Sequence, residues 1–160
     1  MGSILKSNIQ YLVMDVDGTL TDGKLYMGEN GEMMKVFDAK DGYAIKEMLP
    51  QYGITPIFIS GRSSKIAGAR AKELGVHLAF LGYDDKLSML ELIAFDTSTP
   101  FEEIAYIGDD ISDLKCIRKC GIGACPADAA EEVRNCADYV TEKSGGDGAV
   151  REFIEHIIKL

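Results

Sequence analysis

A short apolar run that ends in two closely spaced carboxylates is the feature that most constrains this sequence. The run from Ile9 to Met14 favours extended backbone and predicts a strand buried on both faces. Asp15 and Asp17 follow it, and Gly18 lets the chain turn. Side chains alternate along a strand, so the two carboxylates share one site only if the chain bends there. Two anions held that close need a cation or a proton between them, although a plain acidic turn remains the alternative.

Three later segments repeat the pattern of an apolar run that leads into polar residues. The polar residues at these three ends are Ser60, Gly61 and Arg62, then Lys86, then Asp109, Asp110 and Asp113. In an open parallel sheet, ligands bind outside the carboxyl ends of the strands. We therefore expect these side chains to line one site.

The remaining pattern predicts strands that alternate with helices. The predicted strands are about 9–14, 54–60, 78–81, 104–108, 122–124 and 139–140. The predicted helices are about 42–51, 63–74, 86–95, 112–119, 128–136 and 148–159. Such alternation indicates an α/β fold with a central parallel sheet and helices on both faces. We find no repeat and no linker, so we expect a single domain over residues 1–160.

Residues 23–38 predict a β-hairpin, because Asn30-Gly31 lies in a turn between two extended runs, 24–28 and 32–37. Its apolar residues are Leu25, Tyr26, Met27, Met33, Met34, Val36 and Phe37. This is more apolar surface than a free two-stranded ribbon can keep in water. We expect the hairpin to protrude and to self-associate; the alternative is that it folds onto its own domain.

Composition excludes several classes of partner. The net charge of −9 argues against binding nucleic acid or an anionic membrane, since either needs clustered Lys and Arg. No apolar run approaches the length of a membrane span. The start, Met1-Gly2-Ser3, lacks a hydrophobic signal segment, and Lys6 stands where a myristoylation motif has Ser or Thr.

The four cysteines, Cys116, Cys120, Cys125 and Cys136, show no metal-binding spacing. We expect them to be reduced and mostly buried. Reduced cysteines are typical of cytoplasmic proteins, so we expect a cytoplasmic location.

In order and spacing, the polar strand ends resemble the four motifs of the haloacid dehalogenase superfamily of phosphohydrolases. The matching residues are Asp15 and Asp17 in DVDGT, Ser60 in SGR, Lys86, and Asp109, Asp110 and Asp113 in GDDxxD. The resemblance covers nearly all of the chain. It implies a three-layer Rossmann-like core and phosphate monoester hydrolysis.

The resemblance also implies a role for each residue. Asp15 is the nucleophile that forms an aspartyl-phosphate, and Asp17 protonates the leaving alkoxide and later deprotonates water. The implied cofactor is Mg²⁺, held by Asp15, the carbonyl of Asp17 and Asp109. Ser60 donates a hydrogen bond to the phosphoryl group, and Lys86 offsets its charge.

Asp110 and Asp113 have less defined roles. Either could support the metal or Lys86, and Asp113 could instead stabilise the first turn of its own helix. Arg62, in the substrate-binding loop with Gly61, is suited to a second anion on the substrate, although it could also be a solvated loop cation.

Within the superfamily, only the hairpin follows Asp17 before the next helix, and only about twenty residues separate Lys86 from Asp109, so no cap domain fits. The chain resembles the 3-deoxy-D-manno-octulosonate 8-phosphate phosphatases, which are capless homotetramers of lipopolysaccharide biosynthesis. The matching stretches are 38–43, Ser60-Gly61-Arg62 with Lys65, 82–86 and 145–152. In that family the hairpins form a barrel at the tetramer centre, and a neighbouring subunit helps to roof each site.

The glycine-rich tail departs from the family pattern at one residue. Asp147 stands where many members carry Arg, and it could simply cap the last helix. We expect the segment from Gly145 to Gly148 to be flexible enough to order over the site when substrate binds.

Three other functions are open. A phosphatase for a nine-carbon sialic-type 9-phosphate (of KDN or an N-acylneuraminate) shares the capless tetrameric fold, but in the resembling enzyme the position of Arg62 is acidic. A signalling receiver domain takes its phosphate on an Asp at the third strand, where this chain has none before Asp84. A catalytically idle assembly protein would not need the full set of motif residues.

Overall fold

A parallel sheet with β1 at its centre organises the protein. The computed structural model describes residues 8–160, and within that range the main sheet has six strands in the order β5-β4-β1-β6-β7-β8. The strands are β1 (Tyr11–Met14), β4 (Thr55–Ser60), β5 (Leu78–Leu81), β6 (Ile104–Ile107), β7 (Ile122–Cys125) and β8 (Tyr139–Val140). Each neighbouring pair is parallel, and the strand order reverses at β1. This reversal opens a crevice at the carboxyl ends of the strands.

Helices cover both faces of the sheet. They are α1 (Ala39–Tyr43), α2 (Leu49–Gln51), α3 (Lys65–Glu73), α4 (Lys86–Thr97), α5 (Leu114–Lys119), α6 (Glu131–Cys136) and α7 (Ala149–Ile157). One apolar cluster joins residues 44–48, α2, α3 and α7 to the first face, and a second joins α4–α6 to the opposite face. The predicted three-layer α/β architecture is therefore confirmed.

The residues of β1 explain why it takes the central place. Leu12 and Met14 pack into the first cluster and Val13 into the second, and all three are fully buried. A strand with apolar side chains on both faces is stable only between two helical layers. The prediction of a strand buried on both faces is confirmed.

The hairpin consists of β2 (Tyr26–Gly28) and β3 (Gly31–Met34), which pair antiparallel as predicted. Five of its apolar side chains are exposed: Leu25, Met27, Met33, Met34 and Val36. Phe37 instead packs against the first apolar cluster, where the Arg70 guanidinium lies 5.4 Å from its ring centroid. The base of the hairpin thus folds onto its own domain, while its strands present an apolar surface.

The helix predicted from residue 42 begins earlier than expected. Asp38 caps α1, because its Oδ1 accepts hydrogen bonds from the backbone N–H groups of Lys40 (2.7 Å) and Asp41 (3.2 Å). A π-helical stretch, Ala44–Met48, follows before α2. This stretch directly precedes Pro50, whose missing N–H and bulky ring do not fit a regular helix interior.

No cap domain is present in the described part of the chain. Only the hairpin lies between β1 and α1, and only residues 98–103 lie between α4 and β6. The predictions about Met1, Gly2, Ser3 and Lys6 fall outside the described residues. Within residues 8–160, no helix is both long enough and apolar enough to cross a bilayer.

Candidate active site

One cavity of about 200 Å³ lies at the carboxyl ends of the strands. Its lining residues are Asp15, Asp17, Ser60, Gly61, Arg62, Asp84, Lys86, Asp109, Asp110 and Ser112. The strand ends therefore bring together every predicted site residue except Asp113, which lies behind Lys86. A larger groove, of about 570 Å³, has Lys40, Arg151 and Glu155 among its lining residues and includes none of the predicted site residues in that lining.

A tight turn after β1 brings Asp15 and Asp17 to the cavity. The N–H groups of Thr19 and Leu20 both donate to the carbonyl of Val16, which folds the chain back directly after the strand. Gly18 adopts a φ of 90°, and a Cβ at this residue would overlap the Asp109 carboxylate. Gly18 is thus needed both for the turn and for the approach of Asp109.

Lys86 is held between two carboxylates. Its Nζ donates to Asp15 Oδ1 at 2.7 Å and to Asp113 Oδ1 at 2.8 Å, and only 5% of the Lys86 side chain is exposed. Burial alone would lower the pKa of Lys86, but the negative charges of Asp15 and Asp113 raise it above its ordinary value. Lys86 therefore stays an ammonium beside Asp15.

Asp113 has both carboxylate oxygens engaged and does not line the cavity. Tyr106 Oη donates to its Oδ1 at 2.6 Å, and the backbone N–H groups of Asp109 (3.1 Å) and Asp110 (3.2 Å) donate to its Oδ2. Asp113 thereby fixes Lys86 and the loop that carries Asp109. Asp110 is exposed and caps the short 3-10 helix Ile111–Asp113 by accepting from the N–H of Ile111 at 2.8 Å.

The carboxylates form a cluster with unrelieved negative charge. One oxygen each from Asp15, Asp109 and Asp113 lies within 4.8 Å of the others. Burial and the charge of Asp113 raise the pKa of Asp15 well above its ordinary value, against the effect of Lys86. Burial and neighbouring carboxylates likewise raise the pKa of Asp109 to about 6. Since Asp113 is already paired, Asp15 and Asp109 are the oxygen ligands left for a hard divalent cation.

The loop after β4 carries Ser60, Gly61 and Arg62. Ser60 is 2% exposed, and its carbonyl accepts from the N–H groups of Gly82 (2.9 Å) and Tyr83 (3.0 Å), which joins this loop to the one that leads to Lys86. The Arg62 side chain is 42% exposed, and its Nε lies 3.9 Å from Asp17 Oδ2. Arg62 is therefore available to a ligand at the mouth of the cavity.

Sequence reasoning missed Asp84 and Ser112 of the cavity lining and three residues that contact the site carboxylates. Thr19 Oγ1 lies 3.4 Å from Asp15 Oδ2 and 3.5 Å from Asp109 Oδ1, so its hydroxyl can donate to either. Tyr106 supports Asp113, and Lys35, from the hairpin, forms an ion pair with Asp17. The threonine next to Gly18 was visible in the DVDGT motif, whereas Tyr106 looked like an ordinary strand residue.

The glycine-rich segment, residues 145–148, lies against the tight turn that follows β1. Gly145 N–H donates to Asp128 Oδ1 at 2.9 Å, and Gly146 N–H donates to the Thr19 carbonyl at 3.2 Å. Gly145 and Gly146 are thus hydrogen-bonded beside this turn, and the ordering of the segment over the site when substrate binds stays a prediction. Asp147 is exposed and does not cap α7, since Gly148, with a φ of 98°, occupies the capping position.

A family comparison agrees with this geometry. A sequence model of the haloacid dehalogenase-like hydrolases matches residues 82–154. The chain is 38% identical over 151 residues to 3-deoxy-D-manno-octulosonate 8-phosphate phosphatase of Escherichia coli, a match that covers 94% of this chain and 80% of the relative.

Solved structures give the same result. The phosphatase of that name from Moraxella catarrhalis, crystallised with magnesium, phosphate and KDO, has a TM-score of 0.92 and 41% identity, over 96% of this chain and 87% of that one. The cobalt-bound deoxy-D-mannose-octulosonate 8-phosphate phosphatase of Haemophilus influenzae has a TM-score of 0.92 and 40% identity, over 96% of this chain and 89% of that one.

Proposed function

The chain belongs to the family of 3-deoxy-D-manno-octulosonate 8-phosphate phosphatases, within the haloacid dehalogenase-like hydrolases, and from this premise we propose that it hydrolyses that eight-carbon keto-sugar phosphate. The observation that carries the proposal is the contact between Lys86 and Asp15 beside Asp109. The related crystal structure with KDO favours the eight-carbon substrate over the nine-carbon alternative. We further propose that residues 1–160 act as one catalytic domain in lipopolysaccharide biosynthesis.

Asp15 is the nucleophile in this proposal. Its carboxylate attacks the phosphorus in line with the leaving sugar oxygen and forms an aspartyl-phosphate, which water then hydrolyses. Lys86 lies 2.7 Å from one Asp15 oxygen and offsets negative charge on the nucleophile and on the phosphoryl group. Ser60 and the backbone of Gly61 line the same cavity and bind the phosphoryl oxygens.

Asp17 is the general acid and base. It gives a proton to the departing sugar oxygen and later takes one from the attacking water. Asp110 and Asp113 act indirectly. Asp113 accepts a hydrogen bond from Lys86, and Asp110 caps the short 3-10 helix that follows it.

Magnesium is the proposed cofactor, held by the carboxylates of Asp15 and Asp109 and by the carbonyl of Asp17. The raised pKa of Asp109, about 6, reflects burial and nearby negative charge that a divalent cation would relieve. When bound, the ion neutralises charge on the transferring phosphoryl group and orients it toward Asp15.

We propose a homotetramer as the working form. The support is the exposed apolar surface of the hairpin, which stands beside a cavity that no cap covers in the described residues. A neighbouring subunit at this surface would bury the apolar side chains and shield the aspartyl-phosphate from bulk water.

A cytoplasmic location is part of the proposal. All four cysteines are free, and three of them are buried. Burial raises the pKa of the Cys116 thiol to about 12 and that of Cys125 to about 11, so both remain neutral thiols. Free, unreactive thiols suit a reducing compartment.

The test of the catalytic proposal is phosphate release from a panel of sugar phosphates. Wild-type protein with Mg²⁺ should prefer 3-deoxy-D-manno-octulosonate 8-phosphate, and excess chelator should abolish turnover. Asp15→Asn keeps the size of the side chain but removes the nucleophilic charge, so turnover should fall by at least about 10³-fold. Circular dichroism should show an unchanged fold.

Two results would contradict the proposal. One is appreciable turnover by Asp15→Asn, and the other is full activity in excess chelator. Asp128→Asn is a matched control, because Asp128 is an exposed aspartate that holds Gly145 rather than lining the cavity, and it should retain most activity.

A further inference from the structure

A hairpin lysine reaches the active site of its own chain. Lys35 follows β3 directly, and only 2% of its side chain is exposed although its neighbours Met34 and Val36 are exposed. Side chains alternate in extended backbone, so Lys35 points inward where they point outward. Its Nζ forms an ion pair with Asp17 Oδ1 and lies 2.7 Å from Glu32 Oε1.

Glu32, in β3, is itself held by a residue outside the hairpin. Ser64 Oγ donates to Glu32 Oε2 at 2.6 Å and accepts from the N–H of Ala67 at 3.1 Å, as the cap of α3. Burial opposes the charged form of both members of the Lys35–Glu32 pair, but their hydrogen bonds raise the pKa of Lys35 and lower the pKa of Glu32. Both groups therefore stay charged, and the ammonium is held from two sides.

We propose that Lys35 is a positioning residue for Asp17, one that holds the carboxylate by Oδ1 and so turns Oδ2 toward the leaving oxygen of the substrate. This inference rests on the proposed function, in which Asp17 is the general acid and base. An ammonium group has three donors and no acceptor, so a proton on the oxygen that faces it would meet another hydrogen. Asp17 Oδ1 accepts from Lys35, whereas no hydrogen bond to Oδ2 is found among the described residues, so Oδ2 is the oxygen that Lys35 leaves for the sugar oxygen.

Oδ2 is the oxygen on the substrate side. It lies 3.9 Å from Arg62 Nε, and Asp17 and Arg62 both line the cavity. In the first half-reaction, the bond from phosphorus to the sugar oxygen breaks, the bond to Asp15 forms, and the proton on Asp17 Oδ2 moves to the sugar oxygen. In the second, water bonds to phosphorus, the bond to Asp15 breaks, and a water proton returns to Oδ2. Lys35 gives and takes no proton in either step.

The leaving group provides a test of this role. A sugar alkoxide must be protonated as it departs, whereas p-nitrophenolate is weakly basic and leaves without a proton. The value of kcat/KM reports steps up to the first irreversible one, so it is insensitive to slow hydrolysis of the aspartyl-phosphate. A defect in proton delivery should thus appear in kcat/KM for the sugar phosphate and not for the aryl phosphate.

The decisive variant is Lys35→Met, which keeps the length of the side chain and removes its charge. We expect kcat/KM for 3-deoxy-D-manno-octulosonate 8-phosphate to fall by about 10- to 100-fold, a part of the usual general-acid contribution. For p-nitrophenyl phosphate, we expect a change of less than about threefold. The variant should also sediment like wild type, since loss of hairpin association would produce the same selective loss. Lys24→Met is the matched control, since Lys24 is an exposed lysine of the same hairpin, and it should change neither value.

Glu32→Gln covers the case in which Lys35→Met does not fold. It leaves the ammonium in place but weakens its second anchor, so it should show a smaller loss that is again confined to the sugar phosphate. Equal losses on both substrates, or no loss on either, would overturn the role of Lys35. A wild-type protein inactive on both substrates would instead contradict the proposed function, and the role of Lys35 would fall with it.

Discussion

At the scale of single residues, the site separates groups that line the cavity from groups that hold them. Lys86 lines the cavity, whereas Asp113 stands behind it and accepts its second hydrogen bond. Tyr106 in turn donates to Asp113. This arrangement keeps a buried ammonium next to Asp15 without leaving either charge unpaired. Buried charges of this kind are stable only when each has a partner.

Arg62 is the residue for which we predict a change in specificity. The proposed substrate carries a carboxylate, and a well-formed charge-assisted hydrogen bond contributes about 1.5–3 kcal/mol. Arg62→Ala should therefore lower kcat/KM for the acidic sugar phosphate by about 10- to 100-fold, and for a neutral sugar phosphate much less. Steady-state kinetics on the two substrates measure the difference.

The control for this prediction is Arg118→Ala, which removes an exposed arginine of α5 that does not line the cavity. This variant should leave kcat/KM unchanged for both substrates. Equal losses from Arg62→Ala on both substrates would mean that Arg62 contacts only the phosphoryl group or only supports its loop.

The sequence predicted residues that carry chemistry better than residues that support them. Asp15, Ser60, Lys86 and Asp109 could be found because each follows an apolar run. Lys35 could not, because its contact with Asp17 depends on how the hairpin folds back onto the site. No local pattern separates a lysine that turns inward from one that faces water.

At the scale of elements, the position of the polar residues at the carboxyl ends of parallel strands was sufficient to predict that they line one cavity. The N-terminal cap of α7 could not be predicted from the sequence in this way. Asp41 in α1 accepts a hydrogen bond from the N–H of Arg151 at 2.9 Å and so supplies an N-terminal cap, a role for which Asp147 was the alternative in the sequence. A cap from a different helix has no signature in the sequence around α7.

Asp41 also leads to a prediction about stability. It is 1% exposed, its Oδ2 has no hydrogen-bond partner among the described residues, and burial raises its pKa to about 6 from an ordinary value of 3.8. The folded state thus binds the proton more tightly than the unfolded state, and ionisation of Asp41 destabilises the fold progressively as pH rises from 3.8 to about 6, with no further change above that. The cost at neutral pH is at most about 3 kcal/mol for a shift of this size.

Asp41→Asn should remove this cost, because an amide can still accept from Arg151 and carries no charge. We expect a higher free energy of unfolding than wild type at pH 7.5 and a smaller gain at pH 5.5, measured by urea denaturation. Asp38 and Lys143 also act on this group, so Asp38→Asn is a useful comparison. A gain that is the same at both pH values would exclude the ionisation of Asp41 as its cause.

At the scale of the whole molecule, the exposed hairpin is the feature that a single subunit does not explain. Met27 and Val36 are 55% and 52% exposed. If the hairpins associate, the double variant Met27→Asp with Val36→Asp should give smaller species in sedimentation and weaker turnover of the acidic sugar phosphate. Turnover of p-nitrophenyl phosphate should be reduced less, because this small substrate has no large sugar for a neighbouring subunit to contact.

A matched control adds two charges to a different apolar surface. Leu92 and Phe95 of α4 are 49% and 81% exposed, and Leu92→Asp with Phe95→Asp should leave the sedimentation of the protein unchanged. Wild-type protein that sediments as a monomer and is fully active would rule out the tetramer as the working form.

The central place of β1 has a consequence for the order of events during synthesis. Tyr11 pairs with Thr55 on one side and with Ile104 on the other, so β1 waits for two partners that emerge later from the ribosome. Contacts between such distant parts of a chain form slowly, and a growing chain spends that time with the edges of β1 unpaired. Asp15 meets Asp109 only after β6 has joined the sheet, so phosphatase activity is among the last properties that the nascent protein acquires.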